Sequence, residues 1–409
     1  MMPEEIVGRI LRLPGYGSYQ HEFREEGSEI LVWVRQVGAS PSFTCGGCGI
    51  GVGLDYLHSS KERRVRDLPW GAWRICLIVE IHRLRCRRCG IRTERIDFLD
   101  GKHPYTRRFS EAVARDCEDA AVSRVAAKWG LSAQTARRID KRALQAWSRK
   151  RTRRPLRQMG VDELFWRKGK CITVVSDLEM GEPLWAGPDR TKETLDRYFA
   201  EQLPPRRRRS VRAVCIDMCA PFIASIREHL PKAVIIFDRF HVMMHVNHAV
   251  DETRRQEFFR QKGELRAVMR GKRWLLLSRW RNLTRVKRTE LKQALSLNRR
   301  LFKAYYLKEQ LERLWSYTYQ AAAERFFADW ILSLRWQRLP AFKKLVNTLV
   351  DHIDGILAYC RHKVPFGVVE AINGNLRALI RRARGYRDHE YLILKAQKST
   401  AQLRQQKAA

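Results

Sequence analysis

Three acidic residues lie at positions from which metal-dependent phosphodiester chemistry is possible. Asp162 lies in Gly-Val-Asp-Glu within a strand-like segment, Asp217 ends the apolar run Ala-Val-Cys-Ile-Asp, and Glu370 lies far downstream in Val-Val-Glu-Ala-Ile-Asn. Carboxylates at strand ends converge at one edge of a sheet, and a later helix can deliver a third. Mg²⁺ accepts few protein carboxylates and relies on phosphate oxygens for the rest, and two such ions support phosphodiester displacement. Because the chain has 44 acidic residues, spacing alone is weak support.

Four cysteines form two Cys-x-x-Cys pairs, Cys45/Cys48 and Cys86/Cys89. Each turn places two thiolates at adjacent tetrahedral positions, so two turns close a four-cysteine structural zinc site with no open position for catalysis. The insert, residues 49–85, exceeds the usual spacing of about 15–20 residues, but it has room for a hairpin. The redox alternative is weaker, because a thioredoxin-like protein needs only one such pair. The pattern predicts a zinc ribbon.

Residues 123–142 have the pattern of two short helices joined by a turn. The first helix is predicted to end at Gly130, and Ser132 is predicted to cap the second. As a helix-turn-helix, the second helix would present Gln134, Arg137, Arg138 and Lys141 to the major groove. An ordinary helical hairpin is the alternative. The basic run that follows is predicted to be an exposed, DNA-contacting linker and includes Arg151, Arg153 and Arg154.

The elements that must position these residues change character along the chain. Residues 1 to about 100 are predicted to be β-rich, and residues after about 157 are predicted to be mixed α/β. Strands are predicted at about 160–166, 171–177, 183–185, 211–217 and 233–238, with a helix over 191–203. The order strand–strand–strand–helix–strand–helix–strand, with acids on the first and fourth strands, is the pattern of a ribonuclease-H-like fold.

Composition favours a polyanionic partner. Lys and Arg number 80 against 44 Asp and Glu among 409 residues, a net charge of +36, and this excess indicates nucleic acid. Apolar residues make up 44 %, so the chain can bury real cores. No segment approaches the roughly 18 apolar residues of a membrane span, and the start, Met-Met-Pro-Glu-Glu, lacks a signal-peptide pattern. We therefore expect a cytoplasmic protein with no membrane association.

The segment from about 240 to 345 is predicted to be helical and strongly basic. Residues 254–300 are rich in Lys and Arg and poor in acids, which favours contact with the DNA backbone. The tryptophans of this block are predicted to be core residues, and stacking of one or two on unpaired bases is the alternative. They are Trp274, Trp280, Trp315, Trp330 and Trp336.

The order of motifs resembles the ISL-three family of insertion-sequence transposases of the DDE class. The resemblance rests on both cysteine pairs, Val65–Pro69, the helix pair, Val-Asp-Glu, Ile-Asp-Met, Phe237–His241 and Arg382–Tyr386. It covers nearly the whole chain, from about Cys45 to Leu394. Members commonly have Asn-Gly shortly before the catalytic glutamate, whereas this chain has Phe366-Gly367.

The resemblance implies a multidomain α/β protein and a catalytic triad at Asp162, Asp217 and Glu370, which would also hold Mg²⁺ or Mn²⁺. It implies a ribonuclease-H-like core interrupted by an all-α insertion. The predicted ranges are 1–102 for the zinc ribbon, 103–157 for the helix-turn-helix and linker, 158–242 for the first core part, 243–345 for the insertion, 346–397 for the last core part, and 398–409 for a basic polar tail.

The implied function is cut-and-paste DNA transposition by a bacterial protein that associates with the nucleoid. The zinc ribbon, with its structural Zn²⁺, and the helix-turn-helix would bind terminal inverted repeats in double-stranded DNA. The core would free a 3′-OH that attacks target DNA, and two ends held together imply a homodimer. The alternatives are a non-catalytic DNA-binding regulator, which does not require this α/β core, and a structure-specific nuclease.

Asp238 and His241 also belong to a motif of the family, and two interpretations remain open for them. His241 would position the scissile phosphate or the leaving oxygen and so act as a further catalytic residue. Alternatively, Asp238 caps the following helix and His241 packs on its first turn.

Overall fold

The computed structural model describes residues 3–38, 42–152, 154–167, 169–260, 270–383 and 386–408. The chain divides into two compact units, residues 1–151 and 152–409. The first unit begins with helix α1 (Pro3–Leu11) and continues mainly as β-structure. Its strands are β1 (Tyr16–Arg24), β2 (Glu29–Gln36), β3 (Phe43–Thr44), β4 (Gly51–Val52), β5 (Leu57–Arg66), β6 (Arg74–Cys86) and β7 (Gly90–Thr93).

The main sheet of the first unit is built around the long strand β6. The order is β1-β2-β6-β5, and β7 pairs with the far end of β6. Strands β2 and β6 are parallel, and the other pairs of this sheet are antiparallel. Alternating β-branched and leucine side chains on β2 and β6 form its core, among them Val32, Val34, Ile75, Leu77 and Val79. β3 and β4 form a separate hairpin.

Three helices complete the first unit: α2 (Arg107–Asp119), α3 (Val122–Lys128) and α4 (Ala133–Lys150). Their shared core contains Val125, Ala126, Ala136 and Ile139, with Leu131 packed against it. Gly130 adopts φ +55° in the turn, a conformation that glycine tolerates best. Ser132 caps α4, since its side chain accepts a hydrogen bond from the backbone N–H of Thr135 at 3.1 Å.

The second unit contains a five-stranded mixed sheet. Its strands are β8 (Gln158–Arg167), β9 (Lys170–Asp177), β10 (Glu182–Pro188), β11 (Ala213–Ile216) and β12 (Val234–Phe237), in the order β10-β9-β8-β11-β12. β10, β9 and β8 are antiparallel neighbours, whereas β8, β11 and β12 run parallel. Three helices connect the later strands: α5 (Lys192–Glu201), α6 (Pro205–Arg208) and α7 (Ala220–His229).

Both faces of this sheet are covered. Val214 and Ile216 of β11 belong to a large core that includes Phe199 and Phe222 from α5 and α7. The alternate residues of β11 belong to a second core on the opposite face. Continuous apolar strands of this kind are expected where a parallel sheet is buried on both sides.

A helical block follows β12 and then returns to the sheet. It comprises α8 (Arg239–Arg260), α9 (Arg273–Leu277), α10 (Arg285–Ser296), α11 (Arg299–Leu311), α12 (Gln320–Leu334), α13 (Pro340–Asp351) and α14 (Ile353–Leu357). Its buried side chains are continuous with the core beside α5 and α7. The chain ends with α15 (Phe366–Arg382) and α16 (His389–Ala408). The polar tail predicted from residue 398 continues α16 as helix.

The prediction that all five tryptophans of the block are core residues is wrong for two of them. Trp315 and Trp330 are buried, but Trp274 and Trp336 are 72 % and 80 % exposed. Both exposed rings lie under the guanidinium group of the preceding arginine, at 5.1 and 5.5 Å. Helical periodicity indicates which residues share a face, but it does not identify which face is buried.

Candidate active site and metal centre

The four paired cysteines lie together in the first unit. Cys86 ends β6 and Cys89 precedes β7, while Cys45 bridges to Glu94. The sulfur atoms of Cys48 and Cys86 are 3.5 Å apart, and all four sulfur atoms lie within 4.8 Å of one another. Four thiolates at this separation can share one tetrahedral ion.

The thiols of this cluster favour a bound cation. Backbone N–H groups of Arg88 and Cys89 lower the pKa of Cys86 to about 6. A hydrogen bond with Cys48 and burial raise the pKa of Cys89 to about 12. Crowded thiols of this kind cannot all ionise unless a positive charge lies among them, because each thiolate disfavours the next. The donor set therefore fits Zn²⁺.

Most of the predicted DNA-contacting residues lie on one helix. Gln134, Arg137, Arg138 and Lys141 have the i, i+3, i+4, i+7 spacing of one face of α4. The first three are exposed and Lys141 is half-buried. In the basic segment that follows, Arg151 packs over the Trp147 ring at 4.8 Å and Arg154 is exposed. Arg153 lies outside the described residues, as do positions 384 and 385 of the Arg382–Tyr386 motif.

The second unit places the three predicted acids around one cavity of about 720 Å³. Asp162 lies within β8, Asp217 immediately follows β11, and Glu370 lies in the first half of α15. β8 and β11 are parallel neighbours, so their side chains reach the same end of the sheet. Among the described residues, the sulfur atoms of the four cysteines all lie within 4.8 Å of one another, whereas the carboxylate oxygens of the three acids do not all lie within that distance.

Asp162 is held by two hydrogen bonds. One carboxylate oxygen accepts from the backbone N–H of Glu163 at 2.8 Å, and the other accepts from Asn373 Nδ2 at 2.6 Å. Burial raises the pKa of Asp162, although the Glu163 N–H and the nearby His241 oppose that shift. Asn373 lies one helical turn after Glu370, so this bond ties α15 to the strand that carries Asp162.

Asp217 is also held by protein donors. One of its oxygens accepts from the backbone N–H of Cys219 at 3.1 Å. Its other oxygen forms an ion pair with the guanidinium group of Arg190. Arg190 Nε in turn lies 3.1 Å from a carboxylate oxygen of Glu163. One arginine thus bridges two acidic side chains of the cavity.

His241 and Asp238 lie at the start of α8 and line the same cavity. Asp238 accepts a hydrogen bond from the backbone N–H of Phe240 at 2.9 Å, as the capping alternative predicted. His241 Nδ1 lies 3.5 Å from Asp238, and its Nε2 lies 4.0 Å from Asp162. Burial alone would lower the pKa of His241, but the carboxylates of Asp238 and Asp162 raise it. Asp238 therefore caps the start of α8, and His241 at the same time lies near the carboxylates of Asp238 and Asp162.

Sequence reasoning missed Arg190, Glu163 and Asn373 as residues of this cavity. Asn373 was detectable, because residues three apart on a helix share a face. Glu163 alternates with Asp162 along a strand, so a simple two-residue period would place it on the opposite face. Arg190 lies on the loop after β10, where the sequence carries no periodic signal.

None of the helices in the described ranges combines the length and the apolar character that crossing a membrane requires.

Comparisons with known proteins identify the chain as a transposase. Residues 159–396 match a family described as transposase, and residues 41–89 match the zinc-finger of transposase IS204/IS1001/IS1096/IS1165. The transposase for insertion sequence element IS1001 from Bordetella parapertussis is 33 % identical over 401 residues, which cover 97 % of this chain and 98 % of that protein. The transposase for IS1557 from Mycobacterium tuberculosis is 27 % identical, covering 91 % and 89 %.

The chain belongs to the ISL-three family of insertion-sequence transposases. It contains a zinc-ribbon domain and a DDE transposase domain within a mixed α/β structure. The four-cysteine cluster and the zinc-ribbon match together support structural zinc.

Proposed function

We propose that the protein binds the terminal inverted repeats of its insertion sequence, cleaves DNA at the ends, and joins the 3′-OH to target DNA. The observation that carries this proposal is the convergence of Asp162, Asp217 and Glu370 on one cavity. The five-stranded sheet, with Asp162 in its first strand and Asp217 directly after its fourth, supports the proposal of a ribonuclease-H-like core interrupted by a helical insertion. A regulator that only binds DNA would not need this cavity.

Asp162, Asp217 and Glu370 would hold Mg²⁺ or Mn²⁺. When bound, these ions supply activation of the attacking water and charge neutralisation at the leaving oxygen. Asn373 orients the carboxylate of Asp162 through its 2.6 Å hydrogen bond. His241, protonated more readily because of the nearby carboxylates, would donate a hydrogen bond to a phosphate oxygen or to the leaving oxygen. Hydrolysis and strand transfer then use the same residues.

DNA recognition would be divided between the two units. We propose that α3 and α4 act as a helix-turn-helix, with Arg137 and Arg138 reading bases, and that Arg151, Arg153 and Arg154 contact the backbone. The basic helices of the second unit would contact phosphates regardless of sequence. Because two ends must be held together for joining, we propose a homodimer as the smallest active assembly. The proposed domains span residues 1–102, 103–157, 158–242, 243–345, 346–397 and 398–409.

The cleavage experiment uses a labelled duplex that carries one element end and its flank. We expect cleavage with Mg²⁺ or Mn²⁺, and binding with little cleavage in Ca²⁺, whose coordination is longer and looser. Asp162→Asn, Asp217→Asn and Glu370→Gln should each lose activity, and the triple variant should lose no more, because residues that act as a unit are not additive. Asp329→Asn, an exposed acid of α12, is the matched control. Cleavage by Asp217→Asn at the wild-type rate would refute the metal-dependent mechanism.

The recognition experiment compares repeat DNA with random DNA across salt concentrations. Arg137→Gln should reduce the preference for the repeat, as expected for base contacts. The double substitution Arg285→Gln/Lys287→Gln, at two exposed residues of α10, should weaken binding to both DNAs and reduce the salt slope by about 2. If the double variant no longer discriminates between repeat and random DNA and its salt slope is unchanged, the proposal that α10 contacts phosphates regardless of sequence is wrong.

A further inference from the structure

Arg190 would compete with a bound metal ion for the carboxylate of Asp217. Its guanidinium group pairs with Asp217 on one side and with Glu163 on the other. Since the second oxygen of Asp217 already accepts from the Cys219 N–H, both oxygens of this carboxylate have donors. A divalent ion that binds Asp217 must therefore share one of these oxygens with its present donor or displace that donor, and the positive charge of the ion repels the guanidinium group.

The backbone immediately before Arg190 is anchored by two hydrogen bonds. The carbonyl oxygen of Asp189 accepts from the hydroxyl of Thr173 at 2.6 Å, and that of Pro188 accepts from the hydroxyl of Thr194 at 2.7 Å. Asp189 itself has φ +63°, an unusual conformation for a residue with a side chain. With the backbone fixed, a change of partner for Arg190 takes place through its side-chain rotamers.

Other arginines of the cavity have different partners. Arg239 and Arg279 both lie beside Glu312, at 3.7 and 2.5 Å, and so are neutralised by an acid outside the cavity lining. Arg377 lines the cavity and forms no ion pair with the described acids. Arg190 is thus the cavity arginine, among the described residues, that is tied to a proposed metal ligand.

We propose that Arg190 holds Asp217 before metal binds and that metal binding releases its guanidinium group to bind a DNA phosphate in the cavity. This inference rests on the proposed metal site. It makes Arg190 a positioning residue that links the metal ion and a DNA phosphate. Metal binding frees the guanidinium group to bind phosphate. A bound phosphate in turn holds the guanidinium group away from Asp217, where it would compete with the metal ion. Each ligand should therefore strengthen the binding of the other, because such coupling is reciprocal.

The first measurement is Mn²⁺ binding by the full-length, zinc-loaded protein, followed by electron paramagnetic resonance. Removal of a charged hydrogen-bond partner should tighten Mn²⁺ binding by about tenfold or more in Arg190→Gln. Arg377→Gln removes the same charge from the same cavity without touching Asp217, and it should tighten binding less than about threefold. Arg190→Lys retains the charge but loses the bridging geometry, and its affinity should lie between that of the wild type and that of Arg190→Gln.

The second measurement separates a metal-linked role from a purely structural one. Affinity for a short duplex is compared with and without added Ca²⁺. Arg190→Gln should bind like the wild type without added Ca²⁺, because the guanidinium group is then engaged, and should lose at least about threefold of the gain that Ca²⁺ gives the wild type. Arg377→Gln should weaken binding about equally in both conditions.

The outcomes distinguish the two proposals. If the wild type binds no Mn²⁺ at a site that Asp217→Asn abolishes, the proposed metal site is wrong and this inference is wrong with it. If that site exists but Arg190→Gln and Arg377→Gln have equal Mn²⁺ affinities, only the role of Arg190 is overturned. Equal Ca²⁺-dependent gains in the wild type and Arg190→Gln would overturn it as well.

Discussion

Replacement of Asn373 by leucine tests whether α15 is fixed to β8 through the carboxylate of Asp162. The asparagine is 3 % exposed, and its Nδ2 donates to Asp162 at 2.6 Å. Leucine has the same number and branching of side-chain heavy atoms but cannot donate a hydrogen bond. A hydrogen bond to a charged, buried group is worth about 1.5–3 kcal/mol, so the free energy of unfolding of the second unit should fall by about that amount near neutral pH.

The effect of Asn373→Leu should depend on pH in a defined direction. Burial already raises the pKa of Asp162, and loss of a donor to the charged form raises it further. The folded variant therefore binds this proton more readily than the folded wild type does. Stability lost in the variant is greatest above the folded pKa of Asp162 and is recovered as the pH falls through that pKa.

The assay is thermal unfolding of the full chain at several pH values without added Mg²⁺ or Mn²⁺. The expected loss corresponds to a decrease of roughly 3–12 °C in the melting temperature of this unit near neutral pH. Asn375→Leu, at a half-buried position two residues further along α15, is the control and should change stability by less than about 1 kcal/mol. A loss that grows toward acidic pH, or no loss at all, would refute the reasoning.

Three further predictions concern stability. Cys86→Ser should abolish zinc binding, measured by elemental analysis, and remove the thermal transition of the first unit while leaving that of the second, because structural zinc supplies folding free energy. Ser132→Ala should lower the stability of the first unit by about 0.5–2 kcal/mol, through loss of the α4 cap, and equal melting temperatures would contradict this. Gly355→Ala places a Cβ 2.5 Å from a buried phenylalanine ring and should cost about 1–3 kcal/mol in unfolding experiments. Gly374→Ala, with open space around it, should be neutral or stabilising by up to about 1 kcal/mol.

The sequence predicted those elements whose patterns are local. The β-rich character of residues 1 to about 100, the glycine turn before Ser132 and the two cysteine pairs all follow from spacing or from residue type over short stretches. The succession of strands and helices along the chain in the second unit also follows from the sequence, because apolar runs mark each strand. The strand boundaries shifted by at most three residues, and the largest shift is at the end of β10.

The remaining features depend on contacts between distant segments. Arg190 lies in a loop, and only the fold brings it to Asp217. Exposure of Trp274 and Trp336 depends on which side of each helix faces the core. The roles of Asp162, Asp217, Glu370 and the DNA-contacting residues remain predictions that the experiments above address.

The position of the helical block between β12 and α15 also determines when the cavity can form. Asp162 and Asp217 are synthesised before the block, and Glu370 is synthesised after it, about 150 residues beyond Asp217. At roughly 5–20 residues per second, the ribosome needs about 8–30 s to cover that distance. The contact between β8 and α15 is therefore among the most non-local in the chain, and such contacts form late. A growing chain thus acquires its zinc ribbon and basic helices well before it can assemble the acids that we propose cut DNA.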